Sequence, residues 1–354
     1  MTARRSLRGT RGPVLASGFS LIELMISLVL GLLVVAAAGT LFMANRQTYT
    51  ATESLGRLQE NARVAFELMS RDVREAGGNF CGAPLASTVN VLVPGGAWYT
   101  DFSGGVRGYP GDTAFPDSAF GTGAAQRTAG TDAIELKSAF ADPVTIESDN
   151  PTTGTITLNS ADHGFAVGDI AVACDSNHAA IFQVTTAGAE TIEHATGSGT
   201  PGNCTQGLGM PLSCDGAAGT GYQFGCVFGG VPASGVDCTQ PGSKWTAVVT
   251  KIRAVRWYVA TNDRGGKSLY QSVLHGSAAA LETNEIVEGV NDMTLEYLRQ
   301  GDAAYQGTVA AADWPSIVAM RVTLDLVGQD RVGTDGNPLQ RTLAHVITIR
   351  NRLP

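Results

Sequence analysis

The stretch Gly18-Phe19-Ser20-Leu21-Ile22-Glu23 places one carboxylate at the head of an apolar run that continues without another charge to Ala44. From Leu24 to Ala44 there are about twenty apolar or small residues, enough to cross a hydrocarbon core of ~30 Å. A charge at the centre of such a span costs roughly 2.5 to 3.5 kcal/mol and less near an interface, so Glu23 is expected to have a partner and a task. Arg4, Arg5, Arg8 and Arg11 precede the run. By the positive-inside rule they keep residues 1–18 cytoplasmic and send the C-terminal bulk outward. An ordinary secretory signal is the alternative, with Ala36-Ala37-Ala38 as its small-residue cleavage site. Two features oppose it: the apolar run is longer than a secretory core and opens on a carboxylate, and a helical pattern continues from it without a break.

Beyond Arg46 the pattern turns amphipathic. Leu55, Leu58, Ala62, Ala65, Met69, Val73 and Ala76 recur at steps of three and four and form one stripe. Arg57, Glu60, Arg63, Glu67 and Arg71 lie opposite, and Glu67 with Arg71 makes a favourable i,i+4 pair. No Pro occurs between Pro13 and Pro84, and Gly77-Gly78 supplies a stop. One helix is therefore expected from about Phe19 to Ala76, with the stripe packed on a globular domain. The implied organisation is a basic leader over 1–18, a membrane or assembly helix over 19–45, an amphipathic continuation over 46–78, and a β-rich domain over 79–354.

Charged residues make up 16% of the chain and Gly is abundant, which points to a loop-rich extracytoplasmic β domain. The net charge is −8, and the leader holds only positive charges, so the remainder is more acidic still. That balance argues against nucleic-acid binding, which needs a basic footprint. Cys81, Cys174, Cys204, Cys214, Cys226 and Cys238 all follow the apolar run and read as up to three disulfides, with 15 connectivities open. Their spacings do not suit a zinc knuckle. Neighbouring pairs within 204–238 fit the local spacing, which would leave Cys81 to bridge Cys174.

The clearest strand is Val318–Leu326, alternating at period two, and the last runs from about Leu343 to Arg350 with Leu343, Ile347 and Ile349 inward. His345 shares that face and reads as an edge or satisfied histidine. Asp335-Gly336 and Asn337-Pro338 mark the turn between these strands. Further strands are expected at 133–137, 155–158, 169–174, 180–185, 247–260 and 293–298. Consecutive strands with short turns favour an antiparallel sheet on the long helix, an α+β layout. Two Gly-rich regions, about 94–130 and 197–243, lack periodicity, and such long loops are functional or disordered.

Motifs for catalysis are missing. Gly265-Gly266-Lys267-Ser268 has Thr261 where a phosphate loop needs its first Gly, and reads as a hairpin turn. Asn262-Asp263-Arg264 lacks the alternating oxygens of a calcium loop. The five His show no metal spacing, and no G-x-S-x-G elbow occurs. Neither an enzyme nor a cofactor is indicated.

The basic leader, Gly18-Phe19, Glu23 and the apolar run resemble the class III signal of type IV pilins and pseudopilins. In that family a prepilin peptidase cuts after the Gly and the new N-terminal Phe is methylated. The resemblance implies that the cut would fall between Gly18 and Phe19, that Phe19 would carry the N-methylation, and that Glu23 would become the fifth mature residue. Asp169-Ile170 through Cys174-Asp175, Ala180-Ile181-Phe182-Gln183-Val184-Thr185, Trp314 with Ser316-Ile317-Val318-Ala319-Met320-Arg321-Val322, and Arg350-Asn351-Arg352-Leu353-Pro354 resemble the PilW family of type IV pilus minor pilins. The resemblance does not extend over 197–243. Unlike many major pilins, the chain has no Pro in the first half of its helix.

The resemblance implies a type IV pilin-like fold: a long N-terminal helix on an antiparallel sheet. It also implies a role without catalysis. Such minor pilins prime pilus growth and sit at the tip, supporting twitching motility and adhesion. The implied partners are other minor pilins, the major pilin, the prepilin peptidase, the inner-membrane assembly platform and a tip adhesin. The implied location is a single-pass inner-membrane protein with a periplasmic domain, later the extracellular pilus tip. Glu23 would pair with the N-terminal amine of a neighbouring subunit and fix axial register. A minor pseudopilin of type II secretion is the nearest rival, and a tip-exposed binding module using the two Gly-rich loops is another.

Overall fold

The computed structural model describes residues 18–352 apart from 19, 78–87, 94–96, 103, 141, 176–177, 198, 215–218, 229–230, 233–242, 246, 277–280 and 334, with backbone alone at 226–228, 231–232 and 243–245. Its one α-helix among those residues, α1, spans Leu21–Glu75. The chain divides into two units, one up to Glu53 and one from Ser54 onward.

In the second unit the helix buries Leu58, Ala62, Ala65, Met69 and Val73, the expected stripe, with Ala76 just beyond its end and Leu55 half-buried. Small Ala residues alternate with larger ones, so the helix backbone lies close to the sheet it covers. That stripe shares one core with Val255, Trp257 and Val259, and with Met320, Val322 and Leu324. The helix ends at Glu75, and Gly77 then takes a φ of +135°, where an added Cβ would also lie 3.2 Å from Ile349. The expected stop is thus met by a residue that only Gly fills without strain.

Two sheets carry most of the domain. Val290–Arg299, Ile317–Val327 and Gln340–Thr348 form a three-stranded antiparallel sheet with the long central strand in the middle. Burial along Ile317–Val327 alternates residue by residue, as the period-two pattern requires. The second sheet is organised by Val248–Thr261. Its first residues pair with Ile170–Cys174, and its remainder lies between Ala133–Ala139 and Lys267–His275. The Asn262–Gly266 turn is the expected hairpin: the Asn262 N–H donates to the Gly266 carbonyl and Gly265 adopts a φ of +80°.

Four details differ from the sequence reading. The sheet is not antiparallel throughout, because Thr88–Asn90 runs parallel to Ala179–Ile181. Arg71 pairs with Glu75 at 3.4 Å and Arg63 with Glu60 at 3.0 Å, rather than Arg71 with Glu67. Both arginines have carboxylates on either side at helical spacing, and sequence separation alone does not choose between them. The Gly-rich region 94–130 is ordered around a strand, Val106–Tyr109, and a 3-10 turn, Trp98–Thr100. Region 197–243 likewise contributes the short strands Cys226–Phe228, Val231–Pro232 and Ser243–Trp245. His345 is an exposed edge residue whose ring lies 5.4 Å from Phe66, in keeping with its reading.

Candidate functional site

The first unit presents the sequence's most distinctive residues. Gly18 is exposed, with open space where a Cβ would stand, and Glu23 is exposed in the first turn of α1. Phe19 and the leader residues lie outside the described residues. Leu21, Ile22, Leu24, Met25, Leu28 and Leu30 are all more than half exposed, and the exposed apolar surface continues to Met43. The helix is long and apolar enough to cross a membrane, and its apolar window is uncovered. The two hydroxyls inside the run are already satisfied. Ser27 donates to the Leu24 carbonyl at 2.9 Å and Thr40 to the Ala37 carbonyl at 2.8 Å. Beyond the first turn the run's backbone and its two hydroxyls are therefore bonded internally, and Glu23 is the one charge in its apolar stretch.

In the second unit a buried carboxylate fixes the helix to the sheet. Asp72, 3% exposed, accepts hydrogen bonds from Arg253 at 2.7 Å, the Trp257 indole at 2.8 Å and Gln271 at 2.7 Å. The C-terminal residues close the same end of the helix. The Asn351 amide donates to the Glu75 carbonyl at 3.1 Å, satisfying an orphan group at the helix terminus. Arg352 donates to the carbonyls of Trp314, Ile317 and Gly104. Its burial pushes its pKa down to about 10, so it remains charged at neutral pH. Three segments singled out in the sequence (the helix, Trp314–Val322 and Arg350–Arg352) thus meet in space.

The two Gly-rich regions are held by buried polar side chains. Arg127 donates to the carbonyls of Thr113, Tyr109, Pro110 and Thr131 and lies over Phe115 and Phe120. Burial lowers its pKa to about 10. In the second region the Asn203 side chain holds the Gln183 backbone at both groups: it accepts from the Gln183 N–H at 2.7 Å and donates to the Gln183 carbonyl at 2.8 Å. Cys204 and Cys214 form a disulfide with Cα atoms 5.0 Å apart, one of the neighbouring pairs expected within the loop. Cys174 is buried and disulfide-bonded. Its proposed pairing with Cys81 falls outside the described residues, as do Cys238 and the side chain of Cys226.

Sequence reasoning missed Asp72, Arg127, Glu135 and Arg256. Asp72, Glu135 and Arg256 are placed inside by partners more than 100 residues away, Arg127 by carbonyls 4 to 18 residues away, and none belongs to a local motif. The one available signal was that Asp72 interrupts the apolar side of the helix, beside Met69, Val73 and Ala76. Among the described residues no cluster of His, Cys, Asp and Glu has the arrangement of a metal site. Comparison with family models, with curated proteins and with solved structures gives no match.

Proposed function

We propose that the chain is a minor pilin of the type IV pilin class, acting in assembly rather than catalysis. One observation carries this reading: an uncovered apolar helix that begins with Gly18 just upstream and a lone carboxylate, Glu23, in its first turn. Uncovered apolar surface of this extent requires lipid or a bundle of similar helices. In lipid Glu23 is costly. Beside the freed amine of a neighbouring subunit it gains a charge partner and sets that subunit's height. The domain beyond Ser54 stays periplasmic before assembly and reaches the pilus tip with other minor pilins. The resemblance to the PilW family supports this reading, as does the meeting of its recognised segments around Asn351 and Arg352.

Mass analysis of the mature N-terminus tests the first step. The expected product begins at Phe19 with a methylated amine. A start near Gly39 would return the segment to an ordinary secretory signal. A deletion strain tests the second step, with loss of surface pili and twitching as the expected result. Normal piliation with impaired protein secretion would instead favour a pseudopilin.

A further inference from the structure

A cleft of about 580 Å³ opens where the two Gly-rich regions meet. One wall comes from the first region, through Trp98, Asp101, Arg107 and Asp117. The other comes from the second, through Leu212 and Cys214, and the Cys204–Cys214 disulfide pins it. We infer that this cleft binds a neutral saccharide of about disaccharide size. It rests on the Ser54–Pro354 domain alone and holds whether or not the N-terminal helix enters a fibre.

Charge balance is the first argument. Asp101 pairs with Arg107 at 3.3 Å in the lining, and Asp117 is neutralised from behind the wall by the buried Arg256 at 2.6 Å, so neither sign of charge stands alone in the cleft. An anion would meet Asp101, Asp117 and Glu135, and a cation would meet Arg107. A neutral polyol meets neither penalty. Each of its hydroxyls donates and accepts, which suits a lining that sets carboxylate acceptors beside a guanidinium donor. The second argument is the apolar surface. Leu212 is 47% exposed on the lip and the uncovered edge of the largely buried Trp98 lines the interior, apolar surface for the C–H groups of a sugar ring. The volume falls inside the range of small-molecule sites.

Rigidity is the third argument. Arg256, 5% exposed, is held between the rings of Trp98 at 4.4 Å and Phe115 at 4.1 Å. It also bonds buried Glu135 at 2.7 Å, which Lys137 approaches at 3.3 Å. Buried ionic chains add little net stability over apolar packing. This one fixes the position of Asp117, so little side-chain entropy is lost when a ligand binds.

The test uses the full chain in a detergent with no sugar headgroup, titrated with lactose, maltose and cellobiose by saturation-transfer NMR and calorimetry. Trilysine and glucuronate serve as charged counter-probes. Asp101→Ala and Leu212→Asp alter exposed residues and leave the core alone, which an unchanged melting temperature verifies. Binding of at least one disaccharide is expected, weakened roughly tenfold or more by either substitution. The inference is overturned if no disaccharide binds, if the variants bind as well as the parent, or if only a charged probe binds. None of these outcomes bears on the mature N-terminus or on piliation.

Discussion

At the residue scale, Asp149 and His194 show how burial can make stability depend on pH in two directions. Asp149 is 2% exposed. One carboxylate oxygen accepts the Phe224 N–H at 3.0 Å, and the other finds no partner among the described residues. Burial pushes its pKa up to about 7 from 3.8. His194 is fully buried, its ring 5.0 Å from that of Phe182, and burial pushes its pKa down to about 4 from 6.5. The signs follow from proton linkage. Asp149 contributes fully below its unfolded value near pH 3.8, and the contribution is lost as pH rises through 7. His194 contributes fully above pH 6.5, and the contribution is lost as pH falls through 4. Each is worth about 3 to 4 kcal/mol by order of magnitude, so the two offset each other between pH 4 and 6.5. Asp149→Asn removes one arm only. The variant is expected to be more stable than the parent at pH 8, to match it near pH 4, and to weaken on acidification. Urea melts across that range check this; a difference between variant and parent that stays constant with pH would exclude it.

At the element scale, the helix is held by periodicity that sequence displays and by a carboxylate that it hides. The stripe from Leu58 to Val73 was legible because apolar residues at steps of three and four can share a buried face only on a helix. The strand Ile317–Val327 was legible for the matching reason at period two. Asp72 was not, because its partners Trp257 and Gln271 are 185 and 199 residues away. The loop between 94 and 130 was hidden for a different reason, since the partners that order it are only 4 to 18 residues from Arg127. Its order comes from the carbonyls gathered by Arg127, and no local spacing announces which carbonyls an arginine will find. The cleft was legible only as two Gly-rich regions; that they face each other is a property of the folded chain. Asp72→Ala is expected to destabilise the domain by about 3 to 5 kcal/mol, since it leaves the half-buried Arg253 and the buried Trp257 indole without their acceptor. Asp72→Ala with Arg253→Met removes both charges and is expected to recover part of the loss. Denaturation of the single and double variants decides it: simple additivity would show that Asp72 does not act through Arg253.

At the scale of the whole molecule, the proposed role separates into a processing step and an assembly step, and two positions address them independently. Gly18 stands in open space, so a larger side chain there meets no atom of the described residues. Any effect of Gly18→Val on maturation therefore reports recognition by the peptidase rather than misfolding. Glu23 is likewise exposed, and α1 extends well beyond it, so Glu23→Val raises the apolar character of the first turn without removing a contact of the fold. Valine also removes the cost of carrying a carboxylate into lipid, so membrane insertion should be at least as good as in the parent. The expected outcome is asymmetric. Gly18→Val accumulates as the uncleaved form, and Glu23→Val is cleaved normally but enters sheared pilus fractions at a small fraction of the parental level. The loss reflects a missing charge pair with a neighbouring subunit's amine, so it should be partly recovered by Glu23→Asp, which keeps the charge, and not by Glu23→Gln, which keeps only the shape. Immunoblots of whole cells and sheared pili read both steps at once. Equal incorporation of the Val, Gln and Asp variants would mean that the apolar surface alone drives assembly and that the carboxylate merely rests at the level of the lipid headgroups.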